Sequence, residues 1–424
     1  RSSDLVKSYM PSDSVELYDA YEHTVKNSGS HIIGQLVYLE EERIMASEKR
    51  KAYKFFRNCY TETTPDNCTI HEYSELPEGK LIWDNAIIKR DFYFMDPEKM
   101  RNSVPYEYFD KIVSNGFKNP LLWPIIGYYA HDFKDNTYVY AAILTEESDL
   151  GAGTGKSTFC RLMGLYTSFL EVPADQVTTD SKLLQSWKGE RVMCLSDAGK
   201  EVLMNLTKMK AILDGDVIVK KLFKDERSVA ARHIPKFILT SNYMPVLSDQ
   251  GLDRRIIILE TTPFFKLQGG IDTYFGGKMF PTQDSSGDWD VEDYLAFDNI
   301  MHTGLQAMLK RGKLSNIELS ANGWEKQFKA QHGAYLFDFI ADNIEDFKSR
   351  KHIGLETFKE IYDKYCHAND INIRQKRTVP KVVEAITEYC KREGIAYRSR
   401  EVVNGVVCHT FGSIPIVSND ELPF

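Results

Sequence analysis

The sequence predicts an α/β fold with a mainly parallel sheet, and three observations lead to this prediction. Apolar runs with many β-branched and aromatic residues occur at 138–144, 191–196, 237–241 and 256–260. Helical patterns separate some of these runs, an order that is typical of strands paired in parallel. The first run is apolar on both of its faces, as expected for a strand covered by helices on both sides.

The sequence predicts four parts of the chain. The first is the region before the sheet, and the second contains the sheet. Residues 1–120 are expected to form a mixed N-terminal region, in which 36–56 has helical spacing, 59–78 has the composition of a loop and 80–88 is a strand candidate. Residues 121–265 hold the sheet pattern and begin with an apolar helix candidate. We expect the core of the fold to lie in this second part.

The other two parts are a connector, residues 266–330, and a C-terminal part, residues 331–424. The connector is rich in glycine and is expected to contain a helix at 297–311. In the C-terminal part, three amphipathic patterns precede a hairpin whose turn is Asn404-Gly405, a strong short-range hairpin signal. Helices followed by a β-hairpin indicate a winged-helix-like domain. The three helices are expected at 335–347, 355–367 and 379–393.

Composition restricts the class of protein. With 42% hydrophobic and 27% charged residues among 424, the chain has enough apolar side chains for a buried core. No run of eighteen or more residues is apolar, so we expect no membrane span. The seven cysteines are scattered without a Cys-x-x-Cys pair, which disfavours a disulfide framework or a zinc module and fits a cytoplasmic location. Because the first residue is Arg1, we expect the chain to be a piece of a longer protein, with a processed chain as the alternative.

The glycine-rich turn after the first strand candidate has the pattern of a phosphate-binding loop. Glycines let backbone N–H groups approach phosphate oxygens, and the N-terminus of the following helix adds its positive end. In such a loop Lys156 would contact the β- and γ-phosphates and Ser157 would hold Mg²⁺, so the motif predicts a site for ATP and Mg²⁺. Leu150 stands where the usual pattern has its first glycine, and a chance glycine loop is the alternative. The expected nucleotide-binding residues are Gly151, Gly153, Thr154, Gly155, Lys156, Ser157 and Thr158.

Several polar motifs follow the phosphate loop in a compact order. Asp197 ends one strand candidate, Asn242 ends the next, and Arg254 and Arg255 precede the last. Between the first two of these residues lies a basic stretch at 217–236, which has six Lys or Arg residues against two acids although the whole chain has a net charge of −8. A binder of nucleic acid with a negative net charge needs such local concentrations of basic residues.

The phosphate loop, residues 213–215, the basic stretch, residues 240–242 and residues 253–255 together resemble the superfamily 3 helicases. Both the papillomavirus replicative helicase and the poxvirus or phage primase–helicases share this order, and the resemblance covers about residues 121–265. It implies an AAA+-like P-loop ATPase core that forms a homohexameric ring around DNA. A phage primase–polymerase often carries such a motor after its polymerising domain, so this chain is expected to be that C-terminal helicase part, located in the host cytoplasm.

The resemblance also implies roles for single residues. Asp197 matches the acid that holds Mg²⁺ or orients the attacking water, as Ser157 matches the other metal ligand. Asn242 matches the residue that senses the γ-phosphate. Arg254 matches the arginine finger, which acts on the ATP of the neighbouring subunit, and Arg255 is the alternative finger. Asp197 and Asn242 are also common residues of turns, and the two arginines are also common on surfaces. The expected catalytic set is Lys156, Asp197, Asn242, Arg254 and Arg255.

Two basic segments are expected to contact DNA. The stretch at 217–236 resembles the pore hairpin of the superfamily, whose cations would bind phosphates of single-stranded DNA without sequence preference. A second segment, 371–400, has eight Lys or Arg residues against three acids, and the C-terminal domain that carries it either binds duplex DNA or braces the ring. The hairpin residues expected to contact DNA are Lys220, Lys221, Lys224 and Arg227.

The last residues and two departures from the motifs leave alternatives open. The acidic end of the chain, which closes on Pro423-Phe424, resembles the tip of bacterial single-strand-binding proteins and implies a partner among replication proteins, with an unstructured terminus as the alternative. Leu150, together with Ser196 in a place where many relatives have an acid, favours a second hypothesis: a ring scaffold that binds nucleotide and DNA with weak or no ATPase activity. A small-molecule kinase with a phosphate loop is a third.

Overall fold

The computed structural model shows a mixed α/β protein, in which the two-stranded sheet is inserted between two strands of the five-stranded sheet. Within the described residues there are four sheets, of four, five, three and two strands. The first residues of the helix expected at 36–56 and the acidic tail lie outside the described part of the chain. The described residues are 43–135, 137–146, 153–175, 184, 186–204, 206–219, 227–247, 250–283 and 285–413.

The N-terminal region is a small sheet followed by two helices. Numbered in chain order, its strands pair in the order β3-β2-β1-β4. Strand β1 is antiparallel to β2 and parallel to β4. Asp96 begins the first helix by accepting hydrogen bonds from the backbone N–H groups of Glu98 and Lys99. The elements are β1 (Ala52–Phe56), β2 (Tyr60–Thr63), β3 (Cys68–His71), β4 (Ile87–Ile88), α1 (Pro97–Arg101) and α2 (Val104–Ile112).

Two predictions for this region are wrong. Residues 52–56 form strand β1 and not the end of a helix, and the loop expected at 59–78 contains strands β2 and β3. The helix was predicted from the spacing of this segment alone. However, Lys54 is only 4% exposed, and its Nζ forms an ion pair with Asp132 at 3.0 Å, a contact that local spacing cannot reveal. Of the strand expected at 80–88, the structure retains only Ile87–Ile88 as a strand.

The centre of the molecule is a five-stranded, fully parallel sheet of order β11-β5-β10-β7-β6, and the predicted α/β class with a parallel sheet is therefore confirmed. The four predicted strands are present with shifted ends, whereas strand β6 was not predicted. The elements are α3 (Leu122–Ala130), β5 (Ala141–Glu146), α4 (Lys156–Met163), β6 (Phe169–Pro173), β7 (Val192–Ser196), α5 (Lys200–Met204), α6 (Thr207–Asp214), β8 (Val217–Val219), β9 (Arg227–Val229), β10 (Lys236–Thr240), α7 (Gln250–Asp253) and β11 (Ile256–Thr261).

Both faces of this sheet are buried. Successive side chains of a strand point to opposite faces, and in β5 Ala142 and Leu144 pack in one hydrophobic cluster while Ala141 and Ile143 pack in another. The first cluster contains residues of helices α2 and α3, so the N-terminal region and the sheet share one core. Burial on both faces explains why the strand sequences are continuous apolar runs.

The connector contains two short helices and one long helix. The long helix begins six residues before the start expected from the sequence, because Asp290 caps it by accepting a hydrogen bond from the Asp293 N–H at 2.8 Å. At the other end Gly312 takes a positive φ of 73° and ends the helix. The elements are α8 (Phe264–Leu267), α9 (Ile271–Tyr274) and α10 (Val291–Arg311).

Helices α3 and α10 approach each other through a pair of glycines. A Cβ atom added at Gly127 would lie 1.9 Å from the carbonyl oxygen of Gly304, which is backbone and cannot move aside alone. We therefore expect Gly127→Ala to force the two helices apart and to lower the free energy of unfolding by roughly 1–3 kcal/mol or more, measured by urea denaturation. In the control Gly412→Ala the added Cβ would have no atom within 4 Å, so a change within about 0.5 kcal/mol is expected. Equal stability of the two variants would contradict the packing argument.

The C-terminal part follows the predicted order of helices and hairpin. All three expected helices are present, and the two hairpin strands meet at Asn404 (φ 51°) and Gly405 (φ 79°), the left-handed pair that a tight two-residue turn requires. Strand β12 adds a third strand in the order β12-β14-β13. The elements are α11 (Ala321–His332), α12 (Ala334–Arg350), β12 (His352–Gly354), α13 (Leu355–Ala368), α14 (Val379–Arg392), β13 (Ile395–Val403) and β14 (Val406–Ser413). Across the described residues, none of the helices has the length and apolar character needed to span a membrane.

Candidate functional site

The phosphate-loop motif lies between β5 and α4, at the carboxyl edge of the central sheet. Gly153 and Gly155 have φ values of 101° and 100°, a region that favours glycine. Helix α4 begins at Lys156 directly after the turn, so its first N–H groups have no partner within the helix and face outward. Gly151 and Leu150 lie outside the described residues. The described half of the loop therefore has the backbone geometry of an anion cradle.

Side chains from distant elements hold this turn in place. The hydroxyl of Tyr108, on α2, donates a hydrogen bond to the carbonyl oxygen of Gly155 at 3.0 Å. A Cβ atom at Gly155 would lie 2.9 Å from Cδ1 of Ile271 and 3.0 Å from Cδ1 of Ile112. Gly155 is thus required twice, once by its positive φ and once by the apolar side chains packed against its Cα.

Lys156 is buried at the bottom of the site among three oxygen atoms. Its Nζ contacts the carboxylate of Glu146, the hydroxyl of Thr154 at 3.2 Å and the side-chain oxygen of Asn242 at 2.9 Å. Lys156 is 7% exposed and Glu146 only 1%. Burial lowers the pKa of Lys156, and the hydrogen bond with Glu146 opposes that shift. A buried ammonium group of this kind is suited to bind a phosphate in place of its present partners.

A cavity of roughly 430 Å³ surrounds the turn and brings several predicted residues together. Three sets of residues line it: the phosphate-loop residues from Gly153 to Thr158, the pair Asp197 and Asn242, and the segment 269–273. Its size is within the range of small-molecule sites. The Ser157 hydroxyl and the Asp197 carboxylate are oxygen ligands of the kind Mg²⁺ prefers, so the lining fits a nucleotide with its metal ion.

Asp197 directly follows strand β7 and has a left-handed backbone with φ 53°. Its N–H donates to the hydroxyl of Thr240 at 3.0 Å, which ties the ends of two neighbouring parallel strands together and leaves the carboxylate exposed at the cavity. The preceding residue, Ser196, donates its hydroxyl to the carbonyl oxygen of Val172 at 3.4 Å. Ser196 is therefore turned toward strand β6, while Asp197 is presented to the site.

The two arginines lie elsewhere. Arg254 and Arg255 precede β11 and so occupy the amino edge of the sheet, opposite the edge that carries the cavity. The backbone oxygen of Arg255 accepts a hydrogen bond from Ala141, the first residue of β5, and its Nη1 donates to Gly251 at 2.6 Å. The Arg254 side chain is exposed and makes no hydrogen bond or ion pair with the part of the chain that the structure describes. Neither arginine is brought to the cavity of its own chain.

The predicted basic hairpin is present as a two-stranded sheet. Strand β8 pairs antiparallel with β9, with Val217 opposite Val229 and Val219 opposite Arg227. Asp216 closes its base by accepting a hydrogen bond from the Ala231 N–H at 2.9 Å. The tip lies outside the described residues and carries Lys220, Lys221 and Lys224; the side chain of Arg227 is not described either.

Three features of the site were not predicted, and of these the segment 269–273 lines the cavity, whereas Glu146 and Lys326 do not. Glu146 carries a weak sequence signal, because it is an acid at the end of the strand before the phosphate loop. Lys326, on α11, donates to the backbone oxygen of Glu146 at 3.2 Å, and its charge lowers the pKa of Lys156. Residues 269–273 were expected only as loop. The last two lie more than a hundred residues from the phosphate loop in sequence, and no local pattern indicates that they fold back onto it.

Comparisons with known proteins give the following matches. Residues 150–255 match the model of a protein family described as a family of unknown function (DUF5906), and a search of curated proteins finds no match. Among solved structures, the chain is similar to the apo NrS-1 C terminal region at 13% identity and a TM-score of 0.42, over 85% of this chain and 96% of that one. It is similar to the JCV helicase at 12% identity and a TM-score of 0.28, over 59% of this chain and 65% of that one. At these levels of similarity the function has to be derived from the chain's own residues.

Proposed function

We propose that this chain is an ATP-dependent DNA helicase or translocase motor for phage-type DNA replication, working as a homohexameric ring around DNA. The observation that carries the proposal is the cavity in which a glycine turn at a helix N-terminus, a buried lysine, an acid and an amide meet at the carboxyl edge of a parallel sheet. Ligands of open α/β sheets bind at this edge. The order of motifs that resembles superfamily 3 supports the more specific assignment.

The residues of the cavity divide the chemistry among them. Lys156 exchanges its present partners for the β- and γ-phosphates of ATP, while the N–H groups at the start of α4 bind phosphate oxygens. The Ser157 hydroxyl and the Asp197 carboxylate hold Mg²⁺, which neutralises phosphate charge when it is bound. Asn242, already beside Lys156 at 2.9 Å, is placed to orient the γ-phosphate and the attacking water.

The position of Arg254 supports a ring. An arginine at the amino edge of the sheet cannot reach the cavity of its own chain, whereas a neighbour packed against that edge offers a cavity to it. In this arrangement each ATP lies between two subunits, and Arg254 or the adjacent Arg255 stabilises transition-state charge on the neighbour's ATP. The number of six subunits follows from the resemblance to superfamily 3.

DNA is proposed to bind in the ring through the β8–β9 hairpin. The hairpin follows α6 and precedes β10, the strand that leads to Asn242, so a change at the γ-phosphate has a short covalent route to the hairpin. Lys220, Lys221, Lys224 and Arg227 contact phosphates of single-stranded DNA. We propose four domains, formed by residues 1–120, 121–265, 266–330 and 331–424. The last domain is winged-helix-like and contacts duplex DNA or braces the ring. The tail binds a replication protein.

Two observations favour a second candidate function. The Lys156 ammonium is neutralised by Glu146 and the place before Asp197 is a serine, so a ring scaffold that binds nucleotide and DNA but turns over ATP slowly also fits the site. The two candidates differ in hydrolysis and not in binding.

The test is ATP hydrolysis by the purified chain with and without single-stranded DNA. We expect DNA to increase kcat, because strand β10, which follows the hairpin, leads directly to Asn242 in the nucleotide site. The increase should shrink between about 50 and 200 mM salt, since phosphate contacts by Lys and Arg are lost with rising salt. Turnover that DNA leaves unchanged would argue against the motor, and nucleotide and DNA binding without turnover would support the scaffold.

A further inference from the structure

Glu146 has a position that the phosphate-loop motif does not explain. It is the last residue of β5, its side chain is 1% exposed, and its Oε1 contacts Lys156 and accepts a hydrogen bond from the Thr154 hydroxyl at 3.3 Å. A buried carboxylate is retained only when it is paired, because its desolvation costs several kcal/mol. Its present pair is the residue that a bound triphosphate needs, so ATP binding must give Glu146 another role.

The surroundings of Glu146 are those of a group beside the γ-phosphate. Lys156, which contacts it, is the residue expected at the β- and γ-phosphates, and Asn242 shares the same ammonium group. Lys326 donates to the backbone oxygen of Glu146 at 3.2 Å and so keeps a second positive charge at the site when Lys156 turns to the phosphates. Glu146 is thus a buried carboxylate in direct contact with the lysine that is expected at the γ-phosphate.

The end of strand β7 offers one acid, Asp197, where many relatives have two adjacent acids. Asp197 is expected at the metal ion, and Ser196, in the position before it, has no carboxylate and is bonded to Val172 on the neighbouring strand. Asp272, on α9, also lines the cavity, and it makes no hydrogen bond or ion pair with Lys156. Among the described acids, Glu146 alone contacts Lys156.

Building on the proposed ATPase function, we propose that Glu146 is the general base of ATP hydrolysis. The oxygen of a water molecule forms a bond to the γ-phosphorus while one water proton passes to the Glu146 carboxylate. The bond between the γ-phosphorus and the β,γ-bridging oxygen breaks, and ADP leaves with its electron pair. Glu146 then releases the proton to solvent, so that ATP and water give ADP, phosphate and one proton.

The alternative role for Glu146 is an electrostatic lock, in which it only competes with the phosphates for Lys156. The two roles predict opposite results for Glu146→Gln, which keeps the size of the side chain and removes its charge. A lock predicts tighter ATP binding and a kcat equal to that of wild type or higher. A general base predicts nucleotide binding that is retained or tightened together with a loss of kcat of roughly 10²–10⁴-fold.

The experiment measures kcat, KM and the Kd of a non-hydrolysable ATP analogue for the full chain, for Glu146→Gln and for Glu146→Asp. We expect kcat to fall in both variants, and to fall less in Glu146→Asp. Asp298→Asn is the matched control: Asp298 is a fully buried carboxylate paired with Arg90 at 2.7 Å outside the cavity, so its loss should lower the Tm and leave kcat unchanged.

Each outcome decides between the possibilities. Glu146→Gln with wild-type kcat overturns the general base, whatever its Kd. Loss of analogue binding, with a Tm below that of Asp298→Asn, identifies Glu146 as a structural residue and also overturns it. Wild-type protein that binds the analogue and never hydrolyses ATP overturns the proposed motor itself, a result distinct from an active Glu146→Gln variant.

Discussion

Replacing Arg254 by alanine should lower the kcat of ATP hydrolysis by about three to five orders of magnitude, the effect of an arginine finger in related phosphoryl-transfer proteins. The guanidinium lies at the amino edge of the sheet, where it is exposed and has no ion pair or hydrogen bond to the described residues. Because its proposed target is the cavity of a neighbouring subunit, the variant should still bind ATP in its own phosphate loop. The measurement is kcat with saturating single-stranded DNA, together with the Kd for an ATP analogue.

Mixing subunits gives the decisive control for Arg254. A ring that contains both Arg254→Ala and Lys156→Ala subunits has some interfaces in which an intact lysine meets an intact arginine, so activity should reappear on mixing. Arg350→Ala removes another exposed arginine, on α12 and remote from the site, and should leave kcat unchanged. If Arg255→Ala shows the loss and Arg254→Ala does not, the finger is Arg255. If mixing restores nothing and both arginines are dispensable, sites shared between subunits are ruled out.

Replacing Lys156 by alanine should lower kcat by roughly 10²–10³-fold, as expected for a group that stabilises developing charge in the transition state. It should also weaken ATP binding, because the ammonium contacts the phosphates. A second effect follows from Glu146, because its carboxylate, 1% exposed in the structure, would lose the ammonium group that contacts it. Removing one partner of a buried pair is strongly destabilising, by roughly 3–5 kcal/mol, so the Tm should fall as well.

The double variant Lys156→Ala with Glu146→Gln separates these two effects. We expect its Tm to recover toward that of wild type, since the uncompensated charge has been removed, while hydrolysis stays lost. The measurement is thermal unfolding of the four proteins of the cycle at pH 7. Stability that is equal in Lys156→Ala and in the double variant would mean that the pair is solvated in solution and would contradict the burial described here.

The strands of the central sheet could be predicted because burial on both faces leaves a local mark, a continuous apolar run. The N-terminal sheet leaves no such mark, since Lys54 in β1 is buried through an ion pair with a residue far away in sequence. The same difference holds for the site. The phosphate loop, Asp197 and Asn242 were predicted from motifs that are local in sequence, whereas Lys326 and the segment 269–273 come from distant parts of the chain and were not predicted. A local pattern indicates which residues form an element, and only the packed structure indicates which distant side chains reach it.

The glycine turn of the phosphate loop depends on residues that lie on both sides of the segment 121–265. Tyr108, on α2, holds the carbonyl oxygen of Gly155, and Ile271, on α9, packs against its Cα, yet both lie outside the segment 121–265 that carries the motifs. The segment is therefore not a module that recombination could move intact into another protein. An exchange of motors between replication proteins would have to carry α2, α9 and their shared core with the sheet, which limits where viable gene fusions can join.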